Sequence, residues 1–102
     1  MMGEIVAEKF NVTRQQQDEF AVSSHKKALA AIAAGAFKDE ILKVEIAQKK
    51  GPAIVVENDE SPRADTSMES LSKLKPAFKD GGTVTAGNAP GVNDGASALV
   101  VM

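Results

Sequence analysis

Two side chains in this 102-residue sequence are suited to proton transfer or to anion binding: His25, the single histidine, and Arg63, one of two arginines. Histidine changes its charge near neutral pH, and the planar guanidinium of arginine pairs with phosphate or carboxylate through two hydrogen bonds. Serines lie beside His25, but the sequence has no Gly-x-Ser-x-Gly elbow and no second histidine to share a metal. Taken alone, His25 is most simply a solvated helix residue and Arg63 a surface residue.

Four carboxylates lie between residues 57 and 65, in a stretch that contains a proline. Paired carboxylates can serve as general acid and general base, whereas a charge run in a proline-containing loop is usually solvated surface. The surface interpretation is favoured for this group, which comprises Glu57, Asp59, Glu60 and Asp65.

A glycine-rich segment runs from Gly87 to Gly95. It lacks the Gly-Lys-Ser/Thr ending of a P-loop and the Gly-x-Gly-x-x-Gly spacing of a dinucleotide site. Glycines allow tight turns and let a ligand approach the peptide groups closely. The residues alone therefore predict a backbone-exposed loop that could bind an anion or an amide, and they specify no reaction.

The composition excludes several classes of function. With no cysteine, these residues contain no disulfide framework, thiolate metal site or cysteine nucleophile. Twelve basic residues are spread among fourteen acidic ones, so there is no basic stripe for nucleic acid and no polybasic membrane patch. The longest apolar run, residues 28–34, is far too short to span a bilayer. We expect a soluble, cytoplasmic protein, with an organelle left open, and no metal, nucleic acid or membrane partner.

The longest predicted helix runs from about Arg14 to Ala34. Thr13 and Gln16 form a Thr-x-x-Gln capping box before it, and Gly35 stands where a helix end takes a left-handed residue. An earlier helical pattern covers residues 4–10. The long helix has one narrow face of helically spaced residues, which comprises Phe20, Ala21, Ser24, Ala28, Ala31 and Ile32.

The remaining patterns mix strands with one short helix. Alternation at residues 42–46 predicts a half-buried strand, followed by a turn at 49–52 and a partner strand at 53–56. A second capping box, Thr66 with Glu69, predicts a short helix that stops near Pro76. Residues 83–86 predict a short strand, and residues 96–102 a buried strand or, less favoured, a helix. The predicted fold class is therefore α+β.

Both ends of the chain lie within structured patterns. The sequence stops inside the apolar run Ala96–Met102, and a helical pattern has already begun by Glu4. Apolar ends need something to cover them. We therefore expect part of a larger protein, whose C-terminal run self-associates or is mobile when it is uncovered.

The segment Thr83 to Ala96, T-V-T-A-G-N-A-P-G-V-N-D-G-A, resembles the thiolases, the acetyl-CoA acetyltransferases and 3-ketoacyl-CoA thiolases. Residues 17–21, 35–41, 59–63 and 73–78 resemble thiolase segments in the same order and at similar spacing. The resemblance covers nearly the whole chain and implies part of the layered α/β thiolase fold. It assigns residues 1–82 to the inserted loop domain. Residues 83–102 would form the coenzyme A-facing loop and the last strand of the N-terminal half.

The resemblance also implies an activity. Thiolases transfer acyl groups between acyl-CoA and coenzyme A through a cysteine, in 3-ketoacyl-CoA thiolysis or acetoacetyl-CoA synthesis. This chain would supply part of the coenzyme A-binding surface and, without the catalytic residues, would be inactive alone. Coenzyme A is then a substrate, and no tightly bound cofactor is implied. The implied partners are acyl-CoA, coenzyme A, the remainder of a thiolase chain and further copies in a homo-oligomer. The alternative is a non-catalytic coenzyme A-binding or interaction module encoded as a short gene.

Carried over by position, the resemblance assigns coenzyme A contacts to six residues. Arg63 matches an arginine near the adenine–phosphate end, Ser70 a serine near the nucleotide, and His25 a cofactor-contacting glutamine or histidine. Pro90 departs from the family, which commonly has a serine hydroxyl on the pantetheine there, because proline supplies neither a hydroxyl nor an N–H. The small residues that match the lining of the pantetheine arm are Ala86, Ala89 and Gly91.

Overall fold

The computed structural model describes residues 2–102. Helices with one small sheet confirm the predicted α+β class. None of the helices among residues 2–102 combines the length and the apolarity needed to cross a membrane. In chain order the elements are helix α1 (Met2–Phe10), helix α2 (Arg14–Ala33), strand β1 (Val44–Ile46), strand β2 (Ile54–Val56) and helix α3 (Met68–Ser72).

Helix α2 confirms the predicted signals at both of its ends. Thr13 Oγ1 accepts from the backbone N–H of Gln16 at 3.2 Å, and Gln16 Oε1 accepts from the N–H of Thr13 at 2.8 Å. At the other end Gly35 has a φ of +70°, and the N–H of Ala36 donates to the carbonyl of Ala31 at 3.0 Å. Because these bonds satisfy orphan groups at each end, residues close in sequence fix the length of α2.

Helix α3 ends at Ser72, and its cap lies one residue later than predicted. Ser67 and Ser70 form the capping box, rather than Thr66 and Glu69. The Oγ atom of Ser67 accepts from the N–H of Ser70 at 3.1 Å, and the reciprocal bond measures 3.0 Å. Glu69 instead pairs with Lys73 at 2.6 Å, one turn further along the helix. Two overlapping motifs competed here, and the serine pair caps the helix.

Strands β1 and β2 form the predicted antiparallel hairpin around Gly51, whose φ is +93°. Val44 pairs with Val56 and Ile46 with Ile54, so that these four side chains share one face. They are between 42% and 54% exposed. The expectation of a half-buried strand is wrong, because within residues 2–102 no helix packs against the hairpin.

Two strands predicted in the last quarter of the chain do not form within the described residues. Thr85 makes an isolated antiparallel bridge with Pro76, and the N–H of Ala77 donates to the carbonyl of Val84 at 2.9 Å. Residues 83–86 are therefore a short contact and not a strand. Residues 96–102 have no regular structure, and Leu99 is 86% exposed rather than buried. A strand requires a hydrogen-bonded neighbour, and residues 2–95 provide none for this segment.

The apolar core is small and marks where four segments meet. Among residues 2–102 the buried apolar side chains are Ala7 of α1, Val22 of α2, Leu71 of α3 and Val84. Each segment thus contributes one side chain, and the hairpin contributes none. Contacts between polar groups must therefore carry much of the packing.

A buried carboxylate attaches helix α1 to the segment around residue 84. Glu4 is 5% exposed, and its Oε1 atom accepts from the N–H of Val84 at 2.8 Å and that of Thr83 at 2.9 Å. Gly82 leaves room for this arrangement, because a Cβ atom there would overlap the Glu4 carboxylate. The backbone bonds from Val84 and then Thr83 hold the pKa of Glu4 below its ordinary value.

Replacing Glu4 by glutamine should weaken the fold and flatten its response to acid. Because the folded state lowers the pKa, the stability from Glu4 is present above the ordinary pKa of glutamate and is lost as the pH falls through the lowered pKa. We expect E4Q to have a lower urea midpoint at neutral pH and a smaller further loss between about pH 6 and pH 3 than the unmodified chain. E45Q, from the exposed strand β1, is the control. An E4Q chain that keeps the full acid sensitivity would contradict the assignment.

Candidate functional site

An open cleft of about 820 Å³ lies between helix α2, the loop before α3 and the loop of residues 86–93. Pro90, the departure from the family pattern, lies in its wall. The structure thus brings together side chains from three distant stretches of the sequence. All six residues to which the resemblance assigned ligand contacts line this one cleft: His25, Arg63, Ser70, Ala86, Ala89 and Gly91.

Helix α2 forms one wall of the cleft. Phe20, Ala21, Ser24 and His25 all line it, as residues one turn apart on one helix face must. The ring of Phe20 is 78% exposed, as are several other large apolar side chains of this chain. Phe20, Ala21 and Ser24 belong to the narrow face that the sequence predicted, whereas His25 was not part of it. The sequence did not identify Phe20 as a residue that borders a ligand site.

His25 anchors the loop that carries Arg63. The backbone N–H of Arg63 donates to Nδ1 of His25 at 3.1 Å. A neutral imidazole has one N–H and one acceptor nitrogen, so this bond places the ring proton on Nε2. His25 therefore holds residue 63 against α2 through one nitrogen and keeps a hydrogen-bond donor on the other.

Arg63 forms a two-pronged ion pair with Asp65. The Nε and Nη2 atoms of Arg63 donate to the two carboxylate oxygens at 3.1 Å and 2.9 Å. This hydrogen bonding, together with the opposite charge, raises the pKa of Arg63 and lowers that of Asp65. Both side chains remain largely exposed, at 68% and 70%. The sequence placed Asp65 on a solvated surface, and the structure shows it as the partner of Arg63.

Ser70 is already engaged in the cap of α3. Its hydroxyl donates to the carbonyl of Ser67 at 2.9 Å and accepts from the N–H of Ser67 at 3.0 Å. A hydroxyl has one hydrogen and two acceptor positions. The hydroxyl of Ser67 also donates to Ser70 Oγ, at 3.2 Å. All three positions are thus engaged, and Ser70 can contact a ligand in the cleft only if the cap opens.

Thr85 organises the loop that forms the opposite wall. It is fully buried, and its carbonyl accepts from the N–H groups of Asn88 and Ala89 at 3.3 Å and 3.0 Å. Its hydroxyl accepts from the N–H of Gly87 at 3.3 Å. Three consecutive backbone donors thus point back into the loop. Contacts from residues 87–89 to a ligand must come from side chains or carbonyl groups.

A buried polar network joins this loop to both helices, and sequence analysis did not find it. Asp18 is 2% exposed; its two oxygens accept from Nε of Arg14 at 2.8 Å and from Nδ2 of Asn88 at 2.9 Å. Arg14 also donates to the carbonyls of Leu71 and Leu74 at 2.6 Å and 3.1 Å. The i, i+4 spacing of Arg14 and Asp18 indicates an ion pair, but no local pattern indicates a partner 70 residues away.

Gly87 allows the loop to lie directly on helix α3. A Cβ atom at this position would overlap the side chain of Leu71 and would lie 2.7 Å from Cδ1 of Leu74. Gly95, further along the same glycine-rich segment, has nothing within 4 Å of the corresponding position. The two glycines therefore differ in role: only Gly87 is required by a close approach.

Substituting Gly87 by alanine should separate the loop from α3. We expect G87A to lower the free energy of unfolding by about 1–3 kcal/mol, because the added methyl group must displace two leucine side chains. G95A adds the same methyl group in open space and serves as the matched control. Urea unfolding of both variants is the measurement, and equal stability of G87A and G95A would refute the close packing.

Comparison with known proteins gives a consistent result over the whole chain. A family profile described as the thiolase N-terminal domain matches residues 1–102. An acetyl-CoA acetyltransferase of Pseudomonas aeruginosa is 52% identical over 99 residues, which is 97% of this chain and 25% of the relative. An acetyl-CoA acetyltransferase of Allochromatium vinosum is 54% identical over the same shares. The chain thus spans about a quarter of the length of the curated relatives it matches.

Solved structures show the same similarity. The acetyl-CoA acetyltransferase of Bacillus anthracis superposes with a TM-score of 0.86 at 47% identity, over 92% of this chain and 24% of that protein. Human mitochondrial 3-ketoacyl-CoA thiolase superposes with a TM-score of 0.81 at 42% identity, over 90% of this chain and 23% of that protein.

Among residues 2–102 no group of three or more acidic or histidine side chains is placed to hold a metal ion.

Proposed function

Because this chain belongs to the thiolase family, we propose that it supplies part of the coenzyme A-binding surface of an acyltransferase. That enzyme would move acyl groups between acyl-CoA and coenzyme A, by 3-ketoacyl-CoA thiolysis or acetoacetyl-CoA synthesis. The observation that carries the proposal is the cleft, which gathers all six positions that match coenzyme A contacts in the family. Coenzyme A enters as a substrate and not as a resident cofactor.

The polar lining of the cleft suits the nucleotide end of coenzyme A. Arg63 offers a planar, permanently charged group with a phosphate-matching geometry, held in place by its backbone bond to His25. The Nε2–H group of His25 adds a neutral donor, whereas Ser70 can take part only if the cap of α3 opens. A phosphate needs hydrogen-bond donors, and Arg63 and His25 provide them.

The opposite wall suits the narrow pantetheine arm. Ala86 and Ala89 carry only methyl groups and Gly91 carries no side chain, so an extended ligand can approach the backbone. Pro90 supplies neither a hydroxyl nor an N–H, so packing takes the place of a directed hydrogen bond there.

We further propose that residues 83–102 form the coenzyme A-facing loop and a strand of the thiolase half. The rest of a thiolase chain and further copies in a homo-oligomer would cover the exposed apolar residues.

Loss of the Arg63 side chain should weaken coenzyme A binding. We expect R63A to raise the dissociation constant about tenfold, the loss of one charge-assisted contact, as measured by isothermal titration calorimetry. K73A is the matched control, because Lys73 is an equally exposed cation at 69% that also pairs with a carboxylate but lies outside the cleft lining. Equal affinity of R63A and the unmodified chain would remove Arg63 from the site, and no saturable binding by any of these chains would overturn the proposal.

The 102 residues alone should not catalyse acyl transfer. They contain no cysteine, and the family chemistry implied by the resemblance requires a thiolate nucleophile. We expect no thiolysis of acetoacetyl-CoA above the uncatalysed rate when the purified chain is assayed with coenzyme A. Turnover by this chain would contradict the assignment of chemistry to other parts of a thiolase. Binding without turnover is also what a non-catalytic coenzyme A-binding module would show.

A further inference from the structure

The hydrogen-bonding edge of Arg63 that is best suited to a phosphate is occupied by a residue of the same loop. Asp65 takes both the Nε and the Nη2 donors of the guanidinium, at 3.1 Å and 2.9 Å. Asp65 also lines the cleft. A ligand anion that uses this edge must therefore meet Asp65 first.

The pair is held in position yet is easily separated. The bond from the Arg63 N–H to His25 fixes the backbone of the loop against α2. The two charged side chains, by contrast, are 68% and 70% exposed, and exposed ion pairs are weak because water screens the charges. The geometry is thus that of a fixed loop with an exchangeable ion pair at its edge.

We propose that Asp65 acts as an internal competitor for the anion site of Arg63 and sets the affinity and the anion preference of the cleft. The proposal rests on the proposed function, since it takes coenzyme A phosphate as the competing ligand. When phosphate pairs with Arg63, the released carboxylate stays nearby, and its negative charge opposes the incoming one.

The same competition selects among ligand anions. Asp65 is tethered two residues from Arg63, so its effective concentration at the guanidinium is far higher than that of a free carboxylate. A free monocarboxylate offers the guanidinium nothing that Asp65 does not already provide, and it is excluded. A phosphate group brings more oxygen acceptors and, as a monoester, more charge, so that it can displace Asp65.

Neutralising Asp65 tests the proposal directly. Calorimetric titration with coenzyme A should give about fivefold tighter binding to D65N than to the unmodified chain, from the loss of a weak ion pair and of nearby like charge. E60Q removes the same charge from the same loop outside the cleft lining and should bind as the unmodified chain does. In the R63A background the substitution D65N should bring a clearly smaller gain, because no ion pair is then released and only the repulsion by the carboxylate is removed. Circular dichroism checks that each variant keeps its helices.

Each outcome bears on the proposal. Tighter binding confined to D65N, and mostly dependent on Arg63, supports it. A D65N chain that binds no better, while R63A still weakens binding, overturns this inference and leaves the proposed function standing. A gain of the same size without Arg63, or an equal gain in E60Q, is a general charge effect and also overturns it. Absence of binding in every variant overturns both proposals.

Discussion

The buried carboxylate of Asp18 is the group around which the cleft is assembled. It receives Arg14 from its own helix and Asn88 from the loop on the far side, while Arg14 reaches on to two carbonyls at the end of α3. A charge removed from water is costly unless it is paired and hydrogen-bonded. Because Asp18 is almost wholly buried, its partners must stay in place. These partners belong to both walls of the cleft, so the walls are fixed relative to each other.

Glu4 repeats this arrangement from the other side. Its carboxylate accepts from consecutive backbone N–H groups at Val84 and Thr83, next to the segment that Asn88 ties to Asp18. The loop of residues 83–89 is therefore held by one acid from α1 and one from α2. Only four apolar side chains are buried among residues 2–102. Hydrogen bonds to these two acids therefore fix the positions of segments that packing would fix in a larger core.

What the sequence predicts well is what depends on near neighbours. The capping box at Thr13, the glycine that ends α2 and the turn at Gly51 follow from groups within five residues of one another, and the structure has all three. The cap of α3 shows the limit of this reasoning, because Thr66 and Ser67 both begin an acceptable motif and hydrogen bonding favours Ser67. The burial expected for residues 42–46 and 96–102 failed because apolar alternation indicates a face but does not supply a partner.

The candidate site shows the same division. Residue chemistry made His25 and Arg63 candidates, family resemblance assigned them ligand contacts, and the fold placed them in contact. Their partners were missed for two different reasons. Asp65 lies only two residues from Arg63 but resembled ordinary loop charge, whereas the bond between Asp18 and Asn88 spans 70 residues. Residues that hold a site through tertiary contacts have no short-range signature, because their spacing is set by the whole path of the chain.

The open shape of the chain has a thermodynamic consequence. Its radius of gyration is 17.7 Å, against about 13 Å for a compact domain of similar length, so unfolding exposes little new apolar surface. The heat capacity change of unfolding follows that surface, as does the dependence of stability on denaturant. The free energy of unfolding of this chain should therefore vary little with temperature, and the chain should unfold over a broad temperature range. A partner that covers its exposed apolar side chains should change its stability more than a change of temperature does.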